Sequence, residues 1–167
     1  MMMQALQAGG LECLVDQERP ADIHNPGGYF ECQRVKSLKS DSSWLADHQG
    51  KAVKIIYRLL PFVPKEVPCR VIFMRRNLDE VVSSQDKMLG AADALPWAQI
   101  FQKELNSVLA RIRELPNVQL EEFDYARCVE APDEVFRALS EFLEFELDYQ
   151  SMVSVVNPKL YRNRSDS

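Results

Sequence analysis

The sequence predicts a layered α/β domain, in which a mostly parallel sheet is flanked by helices. Short apolar runs at residues 53–57, 71–74 and 118–123 have the length and composition of strands. Segments with the periodicity of amphipathic helices alternate with these runs, and the longest covers residues 97–115. At 167 residues the chain is long enough for one domain with a substantial core and too short for two. We therefore interpret residues 1–167 as a single domain.

The composition excludes several classes of function. The chain is 46% hydrophobic and 27% charged, which is typical of a globular protein, and its net charge is −5. Because there is no basic run, this charge argues against nucleic acid or an anionic membrane as the main partner. No apolar run reaches the length of a membrane span, and the first residues lack the pattern of a signal peptide.

The four cysteines are Cys13, Cys32, Cys69 and Cys128, and they have neither a close pair nor the spacing of a metal site. Cysteines of this kind are usually buried thiols in a reducing compartment. We therefore predict a cytoplasmic protein.

One segment, residues 69–88, has the pattern of a ligand-binding site. The apolar run at residues 71–74 is short enough for a strand buried on both faces. It ends at Arg75 and Arg76, and Asn77 then stands where a helix N-cap is expected. Glu80, three residues later, fits the capping-box position of that helix. In α/β sheets ligands bind at the carboxyl ends of strands, and a helix N-terminus there attracts anions.

The spacing within this segment suggests a phosphate site. Asn77 and Ser84 are seven residues apart and therefore lie nearly one above the other on a helix. Arg76 and Ser84 are thus placed to hold one phosphate, the first through a charged fork and the second through a hydroxyl. The alternative, in which the arginines and the serine are simply solvated, stays open on spacing alone.

The pattern R-N-x-x-(D/E)-x-x-x-S after an apolar strand resembles the 3′-phosphate-binding segment of sulfotransferases, enzymes of the P-loop fold that use 3′-phosphoadenosine 5′-phosphosulfate (PAPS). The resemblance extends over essentially the whole chain and implies that Arg76 and Ser84 bind the 3′-phosphate. Leu78 stands where many members have proline. The resemblance also implies that Tyr125 lies against the adenine and that Arg162, in the basic tail, reaches the nucleotide phosphates. A structural tyrosine and a solvated tail remain the alternatives.

The chain departs from the family at its start. In members of the family, a first strand and a loop resembling P-R-S-G-T-S precede a helix such as that at residues 1–8. The loop holds the 5′-phosphosulfate through backbone N–H groups. No such loop is present in this sequence. We expect the natural reading frame to extend upstream by about 10–30 residues, and we expect the chain as given not to catalyse transfer.

Residues 25–31 resemble a segment that lies near the acceptor pocket in bacterial members. His24 and Glu31 are the titratable groups there, and either is a candidate general base. The alternative for both is a solvated loop residue.

Residues 50–64 resemble the family strand that ends in a leucine-proline pair near the sulfuryl group. Many eukaryotic members have a catalytic histidine just before that pair, whereas this chain has Tyr57 and Arg58. Lys54 and Arg58 are candidates to stabilise negative charge on the transferring group, with surface charges as the alternative.

The resemblance implies a sulfotransferase that moves a sulfuryl group from PAPS, in line, to a hydroxyl or amine acceptor. It implies no metal. The alternative is a non-catalytic nucleotide-binding or scaffold protein of the same fold. A kinase is disfavoured because the motif G-x-x-x-x-G-K-[ST] is absent from the sequence.

Overall fold

The computed structural model describes residues 1–16, 25, 27–78 and 97–158. Its regular elements, in chain order, are α1 (Met2–Ala8), three 3₁₀ helices (Gln33–Ser37, Ser43–His48 and Tyr57–Phe62), β1 (Cys69–Arg75), α2 (Trp97–Arg113), β2 (Val118–Asp124), α3 (Tyr125–Glu130), α4 (Pro132–Leu143) and α5 (Tyr149–Ser154). None of these described helices is long and apolar enough to cross a membrane.

β1 and β2 form a parallel pair, with Cys69 opposite Val118 and Arg75 opposite Asp124. Parallel neighbours require a crossover connection, and α2 lies within that connection and packs against β2. The prediction of a mixed α/β protein with parallel strands is therefore confirmed. The sheet of the described residues has two strands.

The main core lies between α1, the sheet and the helices that follow β2. In α1 the buried side chains are Met2, Ala5 and Leu6, the spacing of one helical face. They pack with buried residues that include Phe136, at 0% exposure, and Met152. A second, smaller core joins the first two 3₁₀ helices to the end of the third; its buried members are Val35, Leu38, Trp44, Leu45 and Val63.

The prediction of a strand at residues 53–57 is wrong. Next to this segment the described residues have an isolated parallel bridge between Ala52 and Cys13, and a 3₁₀ helix begins at Tyr57. Leu59 N donates to Ile56 O at 2.9 Å, which starts this turn. The apolar pattern therefore continues into a helical turn that contains Pro61, and proline is unfavourable within a strand.

The expectation that the run at residues 71–74 is buried on both faces is also wrong. All seven residues of β1 are half-buried. Among the described strands β1 has β2 as its only neighbour. Residues 69–74 line an open cleft, which is described below.

Candidate functional site

The carboxyl ends of the two strands bring together two of the predicted binding residues. Because Arg75 is paired with Asp124, the next residues, Arg76 and Tyr125, leave the sheet side by side. The guanidinium carbon of Arg76 lies 5.1 Å from the centre of the Tyr125 ring, which is within the range of a cation–π contact. A cation and an aromatic ring are therefore juxtaposed at the edge where parallel sheets bind ligands.

Tyr125 is the first residue of α3, and Asp124 caps that helix by accepting a hydrogen bond from Arg127 N at 3.0 Å. Burial raises the pKa of the Tyr125 phenol above its usual value, and the charge of Arg76 opposes that rise. The phenol is consequently neutral at physiological pH. A neutral ring fixed beside a guanidinium is suited to stacking on a base while the cation contacts a phosphate.

Arg75, the residue before Arg76, makes different contacts. Arg75 Nε donates to Glu122 Oε2, and Arg113 of α2 contacts the other oxygen of the same carboxylate. Successive side chains of a strand point to opposite faces, which accounts for the separation of Arg75 from Arg76. Arg75 thus has a structural partner in the sheet, and Arg76 stands at the candidate site.

The described candidates at residues 54–58 are engaged with carboxylates of neighbouring side chains. Arg58 Nη2 lies 2.6 Å from Glu104 Oε2, and the Tyr57 hydroxyl is 3.0 Å from the same oxygen. The hydrogen bond from Arg58 lowers the pKa of Glu104, and the same bond raises the pKa of Arg58. Glu104 belongs to the long helix α2 and carries no sequence signal that connects it with Arg58. Only the packing of α2 on the third 3₁₀ helix places it there.

Glu31 and Lys54 lie together. Lys54 Nζ donates to the backbone oxygen of Tyr29 at 2.8 Å and lies 3.8 Å from Glu31 Oε1. Three further candidates, His24, Ser84 and Arg162, lie outside the residues that the structure describes.

One cleft connects the two groups of candidates. It has a volume of about 1030 Å³, and its lining includes Tyr125, Lys54 and Tyr57. This volume is at the upper end of the range of small-molecule sites. Residues 51–55 and 69–74 also belong to its lining.

Comparison of the chain with protein-family models, with curated proteins and with solved structures finds no match. Function is therefore argued from the residues and their geometry.

Proposed function

We propose that this chain is a sulfotransferase-type nucleotide-binding domain, which binds PAPS and its product adenosine 3′,5′-bisphosphate through the 3′-phosphate and the adenine. The observation that carries the proposal is the Arg76–Tyr125 pair at the carboxyl ends of two parallel strands. The sequence pattern around Arg76 supports it independently, because R-N-x-x-(D/E)-x-x-x-S is the pattern of a 3′-phosphate site in that family.

The pair divides the recognition between its two side chains. Arg76 supplies charge-assisted hydrogen bonds to the phosphate, and Ser84 adds a hydroxyl. The Tyr125 ring contacts the guanidinium, and in this proposal the same ring stacks on the purine. Stacking on an aromatic ring gives affinity for the base with little dependence on its identity. The phosphate contact therefore provides the selectivity for a 3′-phosphorylated nucleotide.

The reaction that belongs to this proposal is in-line transfer of a sulfuryl group from PAPS to a hydroxyl or amine. The acceptor lies in the cleft on the side of Lys54 and Tyr57. On this side of the cleft Lys54 is a cation of the lining, and its ammonium contacts Glu31. The protein's contribution is to orient donor and acceptor and to offset charge on the bridging oxygen.

A non-catalytic nucleotide-binding role is the second candidate, and a specific observation favours it. Arg58 and Tyr57 are both engaged by Glu104, and Glu31 lies beside Lys54. The described candidates for charge stabilisation and proton transfer are thus engaged with neighbouring side chains.

Calorimetry tests the binding proposal. The 167-residue protein is titrated with adenosine 3′,5′-bisphosphate and, as the matched control, with adenosine 5′-monophosphate, which lacks the 3′-phosphate. We expect tighter binding of the bisphosphate, whereas equal affinities would contradict the role of Arg76.

Transfer of radiolabelled sulfate from PAPS to a panel of phenols, alcohols and amines separates the two candidates. Background transfer together with selective binding is the result expected of the non-catalytic protein. Clear transfer would establish the enzyme.

A further inference from the structure

Tyr125 stands at an abrupt change of structure. β2 ends at Asp124 and α3 begins at Tyr125, so no loop residue separates the strand from the helix. Asp124 still has the extended backbone of a strand, with φ of −77° and ψ of 130°. The direction in which the Tyr125 side chain leaves the sheet is therefore set by the way in which α3 begins.

The start of α3 depends on the side chain of Asp124. Its carboxylate accepts a hydrogen bond from Arg127 N at 3.0 Å, and the first turn of α3 contains no acidic residue. Arg75 is opposite Asp124 in the sheet, but its guanidinium contacts Glu122, so that arginine does not compete for the capping carboxylate. A helix of six residues is too short to be stable by itself, because its nucleation is costly. The cap is therefore a substantial part of what holds the first turn.

The rest of α3 is anchored independently of this cap. Cys128 and Val129 are buried, and Cys128 belongs to the main core at 0% exposure. The Arg127 side chain contacts Glu134 of α4 at 2.9 Å. Loss of the cap should therefore loosen the first turn, which contains Tyr125, and leave the remainder of the helix in place.

We propose that Asp124 is a positioning residue for nucleotide binding, which acts through the helix cap by holding Tyr125 against Arg76 and in place to stack on the purine. The inference rests on the proposed function, which assigns the stack to Tyr125. A carboxylate at this edge of the sheet could also act by charge, since it would repel a bound phosphate. Capping and repulsion have opposite consequences for affinity, so substitution of Asp124 separates them.

The chain contains a second Asp-Tyr pair that serves as a matched control. Asp148 caps α5, which also has six residues and begins at Tyr149, and it accepts a hydrogen bond from Ser151 N at 3.0 Å. The guanidinium carbon of Arg137 lies 4.1 Å from the centre of the Tyr149 ring, as Arg76 does at Tyr125. Neither Asp148 nor Tyr149 lines the cleft. Removal of this cap therefore reproduces the structural loss at a helix to which the proposed function gives no role.

The test is calorimetry with adenosine 3′,5′-bisphosphate on the 167-residue protein and three variants, after urea denaturation has measured the stability of each. Asp124→Ala should bind about fivefold more weakly, which corresponds to the loss of one N-cap. Asp124→Asn should restore the affinity, because its amide oxygen accepts the same bond. Asp148→Ala should bind like the unmodified protein although it also loses stability.

Three results would overturn the inference. Equal binding by Asp124→Ala and the unmodified protein would show that Tyr125 needs no cap. Tighter binding by both Asp124 variants would show that the carboxylate acts by charge, and an equal loss in Asp148→Ala would show a general effect of stability. If the unmodified protein does not prefer the bisphosphate to adenosine 5′-monophosphate, the proposed function itself fails.

Titration of the Tyr125 phenol tests the cap without any ligand. Burial raises the pKa of this phenol above its usual value of 10. A loosened first turn exposes the ring, so Asp124→Ala should move the pKa toward 10, whereas Asp124→Asn should keep it raised. Ultraviolet absorbance follows the titration, with Tyr125→Phe identifying the contribution of this residue among the five tyrosines. An unchanged pKa in Asp124→Ala would contradict the positioning role.

Discussion

Replacement of Arg76 by alanine tests the candidate site most directly. Arg76 lies against the Tyr125 ring at the carboxyl edge of the sheet, and the proposed function assigns to it the contact with the 3′-phosphate of the nucleotide. A hydrogen bond to a charged group contributes about 1.5–3 kcal/mol. The Arg76→Ala protein should therefore bind adenosine 3′,5′-bisphosphate about ten- to a hundredfold more weakly than the unmodified protein.

The adjacent arginine is the matched control. Arg75 has the same side chain and lies one residue away, but its guanidinium contacts Glu122. In Arg75→Ala the Glu122 carboxylate keeps its contact with Arg113, so the change should leave nucleotide affinity nearly unaltered. Ser84→Ala should cost about 1 kcal/mol, because a neutral hydroxyl that contacts the phosphate is exchanged for water.

The assay is calorimetry with both nucleotides on all four proteins, after circular dichroism has shown that each variant is folded. The loss in Arg76→Ala should be confined to the bisphosphate, since adenosine 5′-monophosphate has no 3′-phosphate to contact. Equal losses at Arg75 and Arg76, or an equal loss for both nucleotides, would refute the assignment of the 3′-phosphate to Arg76.

Three further predictions concern stability and titration. Phe136→Ala should lower the free energy of unfolding by about 3–5 kcal/mol in urea denaturation, because the side chain is 0% exposed in the main core; a loss below 1 kcal/mol would contradict its placement there. The phenol of Tyr125 should titrate above its usual pKa of 10, and Arg76→Ala should raise that pKa further because the opposing charge is removed, as measured by ultraviolet absorbance. Asp148 accepts hydrogen bonds from Ser151 that lower its pKa below 3.8, so the stability that it contributes is present above pH 3.8 and is lost as the pH falls through the lowered value. Asp148→Asn should therefore destabilise the protein more at pH 7 than at pH 2, and equal effects at both would count against this coupling.

The sequence by itself determined the class of fold and the local character of several elements. The apolar runs at residues 71–74 and 118–123 predicted strands, and the structure has β1 and β2 there. These predictions succeeded because the periodicity and length of an apolar run depend on neighbours in the chain. The position of Arg76 directly after a strand followed from the same local pattern.

The tertiary structure decided which of these elements meet. The pairing of β1 with β2 in one register places Arg76 against Tyr125, and the packing of α2 brings Glu104 to Arg58. These contacts join residues that are distant in the chain, and no local pattern encodes the path between them.

The same limit explains the error about β1. An apolar run shows that a strand has surfaces to bury, but it does not show which element covers each of them. Among the described strands β1 pairs with β2, its residues are half-buried, and residues 69–74 line a cleft. Hydrophobicity is therefore determined residue by residue, whereas burial depends on the arrangement of the whole chain.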